Sequence, residues 1–515
     1  MLSRTLSGTI QGVEVCTVEI EVNASNLESQ EPHFTVIGLA DAAVRESRDR
    51  VRTALRMNRL FLPPGNITVN LAPAALRKSG ALYDLPIALC LCAEGEHLPT
   101  DLLSNTLVIG ELGLNGEVRP VHGALAMVAH AHGLGLKRAV VPLANVREAS
   151  AVTGLEVYGV ETLRQAVAFF REPSALRPCH LDLAEIFRTG ARNIPDYIDV
   201  KGQESAKRAL TIAAAGNHNI LMIGQPGVGK SLIASRIPGI MPQLSLADAL
   251  EVTRLYSIAG MLPADAGLIT VRPFRAPHHT VSDAGLLGGG TGIPRPGEIT
   301  LAHRGVLFLD ELPEFRRNTL ESLRQPLENG TVTIARSAGA YVFPSRFMLV
   351  AAMNPCPCGY YGSVERRCRC SPGQVMAYRS RISGPLLDRI DLHIEVPPLP
   401  QTQLLGKRNG IDSAQMREQV MVARQRQEQR FAGTDILDNA SIAGAAMDRF
   451  CALDHASAAF MEQALRAKHL SARSYDRILR VARTVADLAG RAQITEADLA
   501  EACQYRCFEQ GQERF

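Results

Sequence analysis

One octapeptide constrains this 515-residue chain more than any other feature. Its glycines, lysine and final serine match the phosphate-binding pattern G-x-x-x-x-G-K-S in full. The strand-like residues 219–223, apolar from Ile220 onward, precede it and a helical pattern begins at Lys230, so the loop lies between a strand and a helix as the motif requires. Glycines let consecutive backbone N–H groups face phosphate oxygens, and the helix adds partial positive charge. The loop consists of Gly224, Gln225, Pro226, Gly227, Val228, Gly229, Lys230 and Ser231.

A second apolar stretch, residues 306–309, ends in two carboxylates, Asp310 and Glu311. In a doubly wound sheet, a neighbouring strand brings such groups to the edge where phosphate binds. We expect Lys230 to contact the β- and γ-phosphates of ATP, and Ser231 and Asp310 to bind Mg²⁺. Glu311 is then the candidate general base that orients and deprotonates water. The pattern predicts a Mg²⁺-dependent ATP hydrolase; an ordinary strand end with exposed acids is the alternative.

The composition, with 46% hydrophobic and 21% charged residues, is that of a folded globular protein. No apolar run approaches the roughly 18 residues of a membrane helix, and the N-terminus lacks the apolar core of a signal peptide. We therefore expect a cytoplasmic protein with no membrane partner. A net charge of +3 is too small to indicate a polyanionic partner by itself.

Changes in pattern divide the chain into three parts and a linker. Residues 10–24 alternate apolar and polar side chains like one half-buried strand, and residues 41–57 show helical spacing, so the first part is mixed α and β. A proline-bearing linker follows, and then short apolar strands alternate with helices, which predicts an α/β core with a parallel sheet. The last part is rich in Ala, Gln, Glu and Arg and is predicted to be all helical. The predicted bounds are 1–172, 173–195 for the linker, 196–400 and 401–515.

With these motifs, the chain resembles AAA+ ATPases, and more closely the clade that contains the magnesium chelatase ATPase subunit and the ComM helicases. Three segments carry the resemblance: residues 201–230, 272–280 and 386–391. It implies that Asn354 is sensor 1, which polarises the attacking water. It also implies that Arg389 is the arginine finger that reaches a neighbouring subunit's site and that Arg473 is sensor 2. Arg381 and Arg477 are nearby rivals for these arginine roles.

Two further segments resemble features of that clade. Residues 263–297 make a long connection rich in Gly, Pro and His and resemble its helix-2 insert. Residues 330–343 have the pattern of a hairpin with its turn near 337–339, like the pre-sensor-1 hairpin. The resemblance implies that both point into the pore of a hexameric ring. The pair His278 and His279 lacks a third ligand nearby in sequence, so no metal site is predicted there.

Four of the eleven cysteines are grouped, and four thiols suffice for tetrahedral Zn²⁺. These are Cys356, Cys358, Cys368 and Cys370. Common zinc sites space paired cysteines by two to four residues, whereas one residue intervenes here, so zinc ligands and non-ligating cysteines both stay open. Basic and aromatic residues surround the group, as in single-strand DNA-binding surfaces, with a subunit interface as the alternative. They are Tyr360, Tyr361, Arg366, Arg367, Arg369, Tyr378, Arg379 and Arg381. If the chain binds DNA, we expect contacts from this cluster and from Arg336 of the hairpin, with Arg272 and Arg275 of the insert in support.

Residues 1–172 resemble the proteolytic domain of Lon, most clearly at 110–121 and 137–142. The catalytic residues of Lon are missing. Residues 78–85 stand where Lon has its nucleophilic serine motif, and residues 122–125 stand where it has its lysine. Without an amine to activate a serine, acyl-enzyme formation has no base. We therefore expect a non-proteolytic scaffold or DNA-handling module.

A Lon-like domain, an AAA+ core with a helix-2 insert and a helical lid follow one another in the ComM family, and the resemblance covers essentially the whole chain. It implies ATP-driven branch migration of DNA junctions by a hexameric ring, in recombination during natural transformation. Single-stranded and branched DNA are the implied partners. A protein-remodelling or chelatase-type motor acting on a partner protein is the alternative, although the chelatase subunit lacks a Lon-like domain. The missing Ser and Lys argue against a peptidase.

Overall fold

The protein is described from a computed structural model. The residues that it describes are 2–25, 33–60, 62–63, 65–95, 98–190, 194–263, 266–290, 293–336, 339–364, 366–400, 403, 410–468 and 471–506. Some sequence predictions lie outside these residues: the tip of the predicted hairpin at 337–338, part of the linker at 191–193, and most of the first residues of the predicted helical part, at 401–409.

A seven-stranded mixed sheet organises the N-terminal region, in the order β3-β4-β2-β1-β5-β8-β9. Strands β1, β5, β8 and β9 run parallel, whereas β2 pairs antiparallel with both β1 and β4. The seven strands of this sheet are β1 Leu2–Gln11, β2 Glu14–Ser25, β3 Phe34–Ile37, β4 Asn66–Ala72, β5 Thr106–Val108, β8 Arg138–Pro142 and β9 Glu156–Val160. A separate antiparallel pair consists of β6 Glu111–Leu112 and β7 Val118–Arg119.

The prediction of a single strand at residues 10–24 is wrong in one respect. The chain reverses at Gly12, which has a φ of 69°, and residues on either side pair as an antiparallel hairpin. Alternation continues through the turn in the sequence, so it hid the reversal. The turn lies against the core domain: a Cβ at Gly12 would come within 3.1 Å of Tyr341 Cδ1.

Among the described residues, seven α-helices accompany this sheet. They are α1 Ala42–Met57, α2 Asp84–Glu94, α3 Thr100–Ser104, α4 Ala124–Gly133, α5 Val146–Ala149, α6 Leu163–Arg171 and α7 Leu183–Gly190. Helix α1 begins after Asp41, whose carboxylate accepts a hydrogen bond from the Val44 backbone N–H at 2.9 Å, and it confirms the helix predicted there. Helix α2 is buried from Asp84 to Ala93. None of the described helices is long and apolar enough to cross a membrane.

The core domain contains five parallel strands in the order β11-β14-β17-β10-β18, which confirms the predicted parallel sheet. Strands β10, β14 and β17 are buried on both faces, which explains their continuous apolar sequences. The strands of this region are β10 Ile220–Ile223, β11 Phe274–Arg275, β12 Gly288–Gly289, β13 Arg295–Pro296, β14 Val306–Leu309, β15 Thr331–Arg336, β16 Gly339–Pro344, β17 Met348–Met353 and β18 Leu392–Glu395.

Helices cover both faces of this sheet, and a separate antiparallel pair, β15 and β16, forms the predicted hairpin. The helices are α8 Glu204–Gly216, α9 Lys230–Ala234, α10 Leu246–Ala259, α11 Asp283–Leu287, α12 Glu298–Leu301, α13 Arg317–Ser322, α14 Arg324–Asn329, α15 Pro372–Arg379 and α16 Gly384–Leu387. Helix α10 also packs on the N-terminal region through an apolar cluster that joins Val252 to Met127. The predicted linker contains α7, which packs on the same cluster.

The described residues of the C-terminal part form five α-helices. The helices are α17 Ser413–Phe431, α18 Ala445–Phe450, α19 His455–Lys468, α20 Ala472–Leu488 and α21 Glu496–Gln504. They share one apolar core with α8 of the core domain. Polar contacts reinforce this junction: Gln427 Nε2 donates to the Ala215 carbonyl at 2.9 Å, and Arg208 forms an ion pair with Glu501 at 2.8 Å.

Candidate nucleotide site

The phosphate-binding loop leaves the carboxyl end of β10, which lies between β17 and β18 in the sheet. Gly227 and Gly229 have φ values of 82° and 91°, a backbone conformation that L side chains rarely adopt. A Cβ at Gly227 would meet nothing within 4 Å, so space lies open before the loop. The loop therefore has the conformation and clearance that a phosphate chain requires.

The Lys230 side chain is 8% exposed and points back along the loop. Its Nζ donates to the carbonyls of Gly224 and Gln225, at 2.7 and 3.0 Å, and to Asn354 Oδ1 at 3.1 Å. Burial lowers the pKa of Lys230, while nearby Asp310 and Glu311 act in the opposite direction. Asn354 follows the end of β17, so the structure brings the predicted sensor 1 residue to the P-loop lysine.

The residues predicted to bind Mg²⁺ also meet. Ser231 Oγ donates to Asp310 Oδ2 at 2.5 Å, although strand β17 separates β10 from β14 in the sheet. Asp310 Oδ1 accepts from the Glu311 backbone N–H at 2.9 Å. A hydroxyl and a carboxylate are hard oxygen ligands of the kind that Mg²⁺ prefers, and they stand beside the phosphate loop. This donor set fits the metal.

Glu311 has a φ of 52°, in the left-handed region that a non-glycine residue seldom occupies. Its Oε2 lies 3.4 Å from His279 Nδ1. His279 in turn stacks on His278, with ring centroids 4.0 Å apart. The sequence offered these histidines only as possible metal ligands, and their contact with Glu311 was not predicted. The signal was their position after β11, whose carboxyl end shares a sheet edge with that of β14.

The two predicted arginines lie at the other end of the sheet. Asn219, just before β10, donates from Nδ2 to the Arg389 carbonyl at 2.8 Å. The four residues of β10 therefore separate Arg389 from the P-loop by about 13 Å. The Arg389 guanidinium contacts Glu328 and donates to the Pro385 carbonyl at 2.5 Å.

Asp388 connects Arg389 to the C-terminal helices. Its carboxylate lies 3.1 Å from Arg473 Nη1 and 3.6 Å from Arg477 Nη1. Arg473 is 71% exposed, whereas Arg477 is 8% exposed. Buried Arg477 has the environment of a structural group. Arg473, in contrast, has the exposed environment that an arginine needs in order to contact a ligand. Arg381, the other rival, forms an ion pair with Glu314 at 3.0 Å.

The four grouped cysteines converge after Asn354. The Sγ atoms of Cys356, Cys358 and Cys368 lie 3.4 to 3.6 Å apart, and with Cys370 Sγ all four lie within 4.8 Å of one another. Backbone N–H groups, chiefly that of Arg369, donate to Cys358 Sγ and lower the pKa of that thiol to about 6. The unusual spacing in the sequence therefore does not prevent convergence, because the intervening chain folds back on itself.

The basic and aromatic cluster divides into internal and exposed members. Arg379 donates to the Pro355 carbonyl at 3.3 Å, whereas Arg366, Arg367 and Arg369 are exposed. The Arg366 guanidinium carbon lies 4.2 Å from the centroid of the Tyr360 ring. An exposed arginine stacked on an aromatic ring has the chemistry of a nucleic-acid contact.

Two other arginines that we considered as supporting DNA contacts are committed to internal bonds. Arg272 donates to the carbonyls of Pro242 and Arg304, at 2.5 and 2.6 Å, and burial lowers its pKa to about 10. Arg275 forms a two-fold ion pair with Glu298, at 2.6 and 2.7 Å. Both therefore hold the insert in place, and we remove them from the set of DNA contacts.

Comparison with protein families agrees with this architecture. The family described as magnesium chelatase, subunit ChlI, matches residues 196–404. Subunit ChlI of Mg-chelatase matches residues 20–145, and the ChlI C-terminal family matches residues 410–506. Together with the parallel sheet and the P-loop, these matches define a magnesium chelatase-like AAA+ protein, a class of ATPases that use ATP and Mg²⁺.

Individual relatives show which family within this class the chain belongs to. The chain is 44% identical to competence protein ComM of Haemophilus influenzae over 98% of this chain and 97% of that protein. It is 41% identical to YifB of Escherichia coli over 97% of this chain and 96% of that protein. The magnesium-chelatase 38 kDa subunit of Rhodobacter capsulatus is 25% identical over 32% of this chain and 53% of that subunit. The chain therefore belongs to the ComM/YifB family.

Proposed function

We propose that the protein hydrolyses ATP with Mg²⁺, using the P-loop edge of the core sheet. Lys230 neutralises charge on the β- and γ-phosphates, and Ser231 and Asp310 hold the metal. When bound, Mg²⁺ offsets the negative charge of the phosphate oxygens. Glu311 orients and deprotonates the attacking water, and Asn354 polarises it. The observation that supports this assignment is the convergence of Lys230 with Asn354 and of Ser231 with Asp310.

The same proposal assigns Arg389 and Arg473 to the ATP of a neighbouring copy in a ring, which the family resemblance suggests is hexameric. Their position supports this role, because a parallel strand separates Arg389 from the phosphate loop of its own chain. Phosphoryl transfer spreads negative charge over equatorial oxygens, which a guanidinium supplied in trans stabilises. Asp388, paired with Arg473, would transmit the position of the C-terminal lid to the adjacent finger.

We further propose that the ring translocates on single-stranded and branched DNA and promotes branch migration in recombination of incoming DNA. The name of the Haemophilus relative, a competence protein, supports this proposal. So do the exposed Arg366, Arg367 and Arg369 and the exposed Arg336 at the end of β15. In this view the Lon-like N-terminal region serves as a scaffold, and its packing on α10 ties it to the motor.

A mobile four-way junction tests the DNA activity. We expect the parent to displace junction strands with ATP and Mg²⁺ and Glu311→Gln to displace none. DNA should also stimulate ATP turnover by the parent. If strands stay paired at every concentration that supports ring assembly and DNA leaves turnover unchanged, the motor acts on a partner protein instead. The matches to magnesium chelatase families favour that second candidate.

A salt titration tests the DNA contacts. Each phosphate contact on a single strand contributes about 0.7 to the slope of log affinity against log salt. Replacing Arg366, Arg367 and Arg369 with Gln should therefore lower affinity and flatten the slope by about 2. The matched control replaces three other partly or fully exposed arginines outside the loop, Arg4, Arg48 and Arg466. Equal slopes for the two triple variants would remove the loop from the DNA site.

A further inference from the structure

The segment from Asn354 to Ser371 folds back on itself around four thiols. Gly359 N–H donates to the Cys356 carbonyl at 2.9 Å, which closes a turn between the first two cysteines. Cys356 is fully buried, and the other three cysteines are partly buried.

The distances suit one metal ion. Bonds of about 2.3 Å to a tetrahedral zinc ion place its sulfur ligands about 3.8 Å apart. The Sγ atoms of Cys356, Cys358 and Cys368 lie 3.4, 3.5 and 3.6 Å apart, and Cys370 Sγ completes the group within 4.8 Å. These separations exceed the S–S bond length of about 2.05 Å, and all four cysteines are free thiols. A multi-iron cluster would spread its ligands more widely, because different thiolates bind different irons.

Backbone groups also point at the sulfurs. The Cys370 N–H donates to Cys368 Sγ at 3.4 Å, and the N–H groups of Tyr360 and Arg369 donate to Cys358 Sγ. Such hydrogen bonds stabilise negative sulfur and orient it, as outer-shell donors do around metal-bound ligands. The sulfur spacing and these donors therefore both fit four sulfur ligands gathered around one cation.

We infer that Cys356, Cys358, Cys368 and Cys370 bind one structural zinc ion that orders the loop between sensor 1 and the exposed arginines. The loop begins immediately after Asn354, and it packs on the phosphate loop. A Cβ at Gly359 would come within 2.6 Å of Pro226 Cγ and Cδ. By ordering this loop, the ion stabilises the phosphate loop that the cysteine loop contacts. Its presence does not depend on DNA binding, which rests on the proposed function.

Metal analysis of the full-length protein tests the inference directly. We expect one zinc ion per chain after purification without added metal. Chelation under reducing conditions should release it, and cobalt(II) added in its place should give the absorption bands of a tetrahedral tetrathiolate site. Hydrogen exchange should then rise in the metal-free protein across the loop and in the P-loop that it contacts.

Variants locate the site. Cys358→Ser/Cys368→Ser should lose the zinc, whereas Cys16→Ser/Cys179→Ser should keep it, because these two partly buried cysteines lie outside the group. Cys370→His should retain metal and change the cobalt spectrum, which guards against loss of metal through misfolding. Zinc-free parent protein that gives no cobalt spectrum, stoichiometric iron, disulfides among the four cysteines, or zinc retained by the first double variant would each overturn the inference. None of these readouts uses ATP turnover or DNA.

Discussion

Under the proposed function, the two ends of the core sheet would supply different parts of one ATP site. At the carboxyl end, the P-loop, Asp310 and Glu311 lie together, and Lys230 is buried against backbone carbonyls. At the amino end, Arg389 and Arg473 flank Asp388 and touch nothing in the P-loop through any contact of the described residues. The carboxyl end has the phosphate loop, whereas the two predicted arginines, Arg389 and Arg473, lie at the amino end.

If the proposed function is correct, this difference explains why the chain would act as a ring. In a head-to-tail assembly, the amino end of one copy can face the carboxyl end of the next, and each interface then completes one site. A site built this way hydrolyses ATP only when neighbours are in register, which couples turnover to assembly. The predictions below change one end at a time.

The largest effect should come from the amino end. Arg389→Ala should lower kcat for ATP by about 10³-fold or more, because a guanidinium supplied in trans contributes that much to phosphoryl transfer. Nucleotide binding, followed by a fluorescent ATP analogue, should change little. Arg466→Ala, which removes an exposed arginine from another ion pair, is the control and should be fully active. Loss of binding in Arg389→Ala would place this arginine in its own chain's site.

At the carboxyl end, Glu311→Gln should lower kcat by about 10²- to 10⁴-fold, since an amide cannot accept the proton of water. ATP should still bind, and rings should form on ATP by light scattering. Glu314→Gln is the matched control, because Glu314 is a nearby acid engaged by Arg381. Comparable losses in both variants would mean that general disruption, and not a missing base, explains the effect.

His279 offers a smaller change at the same end. Its contact with Glu311 should hold that carboxylate in place, so His279→Ala should lower kcat about tenfold, the equivalent of one hydrogen bond to a charged group. The KM for ATP should stay constant. His278→Ala, which leaves the contact with Glu311 intact, is the comparison. An unchanged kcat in His279→Ala would mean that the contact does not position Glu311.

The smallest expected effect on ATP binding comes from the contact between the cysteine loop and the P-loop. Gly359 and Gly362 both have positive φ values, 83° and 76°, so alanine at either position costs about 1 to 2 kcal/mol of strain. Only Gly359→Ala also places a methyl group against Pro226; at Gly362 nothing lies within 4 Å. We expect the KM for ATP to rise severalfold in Gly359→Ala and not in Gly362→Ala. Equal KM values for Gly359→Ala and Gly362→Ala would show that the cysteine loop does not support the nucleotide site.

The sequence predicted features whose signal is local. The strand, loop and helix around Lys230 follow from adjacent residues, and so does the apolar strand before Asp310. Features that depend on distant contacts were missed or misjudged. Gly12 reverses the chain within an unbroken alternation, Arg272 satisfies distant carbonyls, and His279 meets Glu311 across two strands.

The convergence of the four cysteines was also not predictable from the sequence. Its spacing differs from that of common zinc sites, and periodicity says nothing about how an irregular segment folds. Only the fold of this segment brings Cys356 and Cys370 together. Likewise, the sequence shows that Arg389 follows Asn354, but it does not show at which end of the sheet Arg389 lies. The location of Arg389 depends on the direction of β18 and on its pairing with β10.

Mixing two inactive variants tests the shared site most directly. Glu311→Gln keeps the arginines of the amino end, and Arg389→Ala keeps the complete carboxyl end. In randomly mixed rings at equal concentrations, about one quarter of the interfaces would join an intact carboxyl end to an intact amino end. ATP turnover should therefore rise well above the sum of the separate variants, towards about a quarter of the parent rate. Turnover that stays at that sum, although light scattering and labelled subunits prove mixed rings, would contradict a site shared between neighbours.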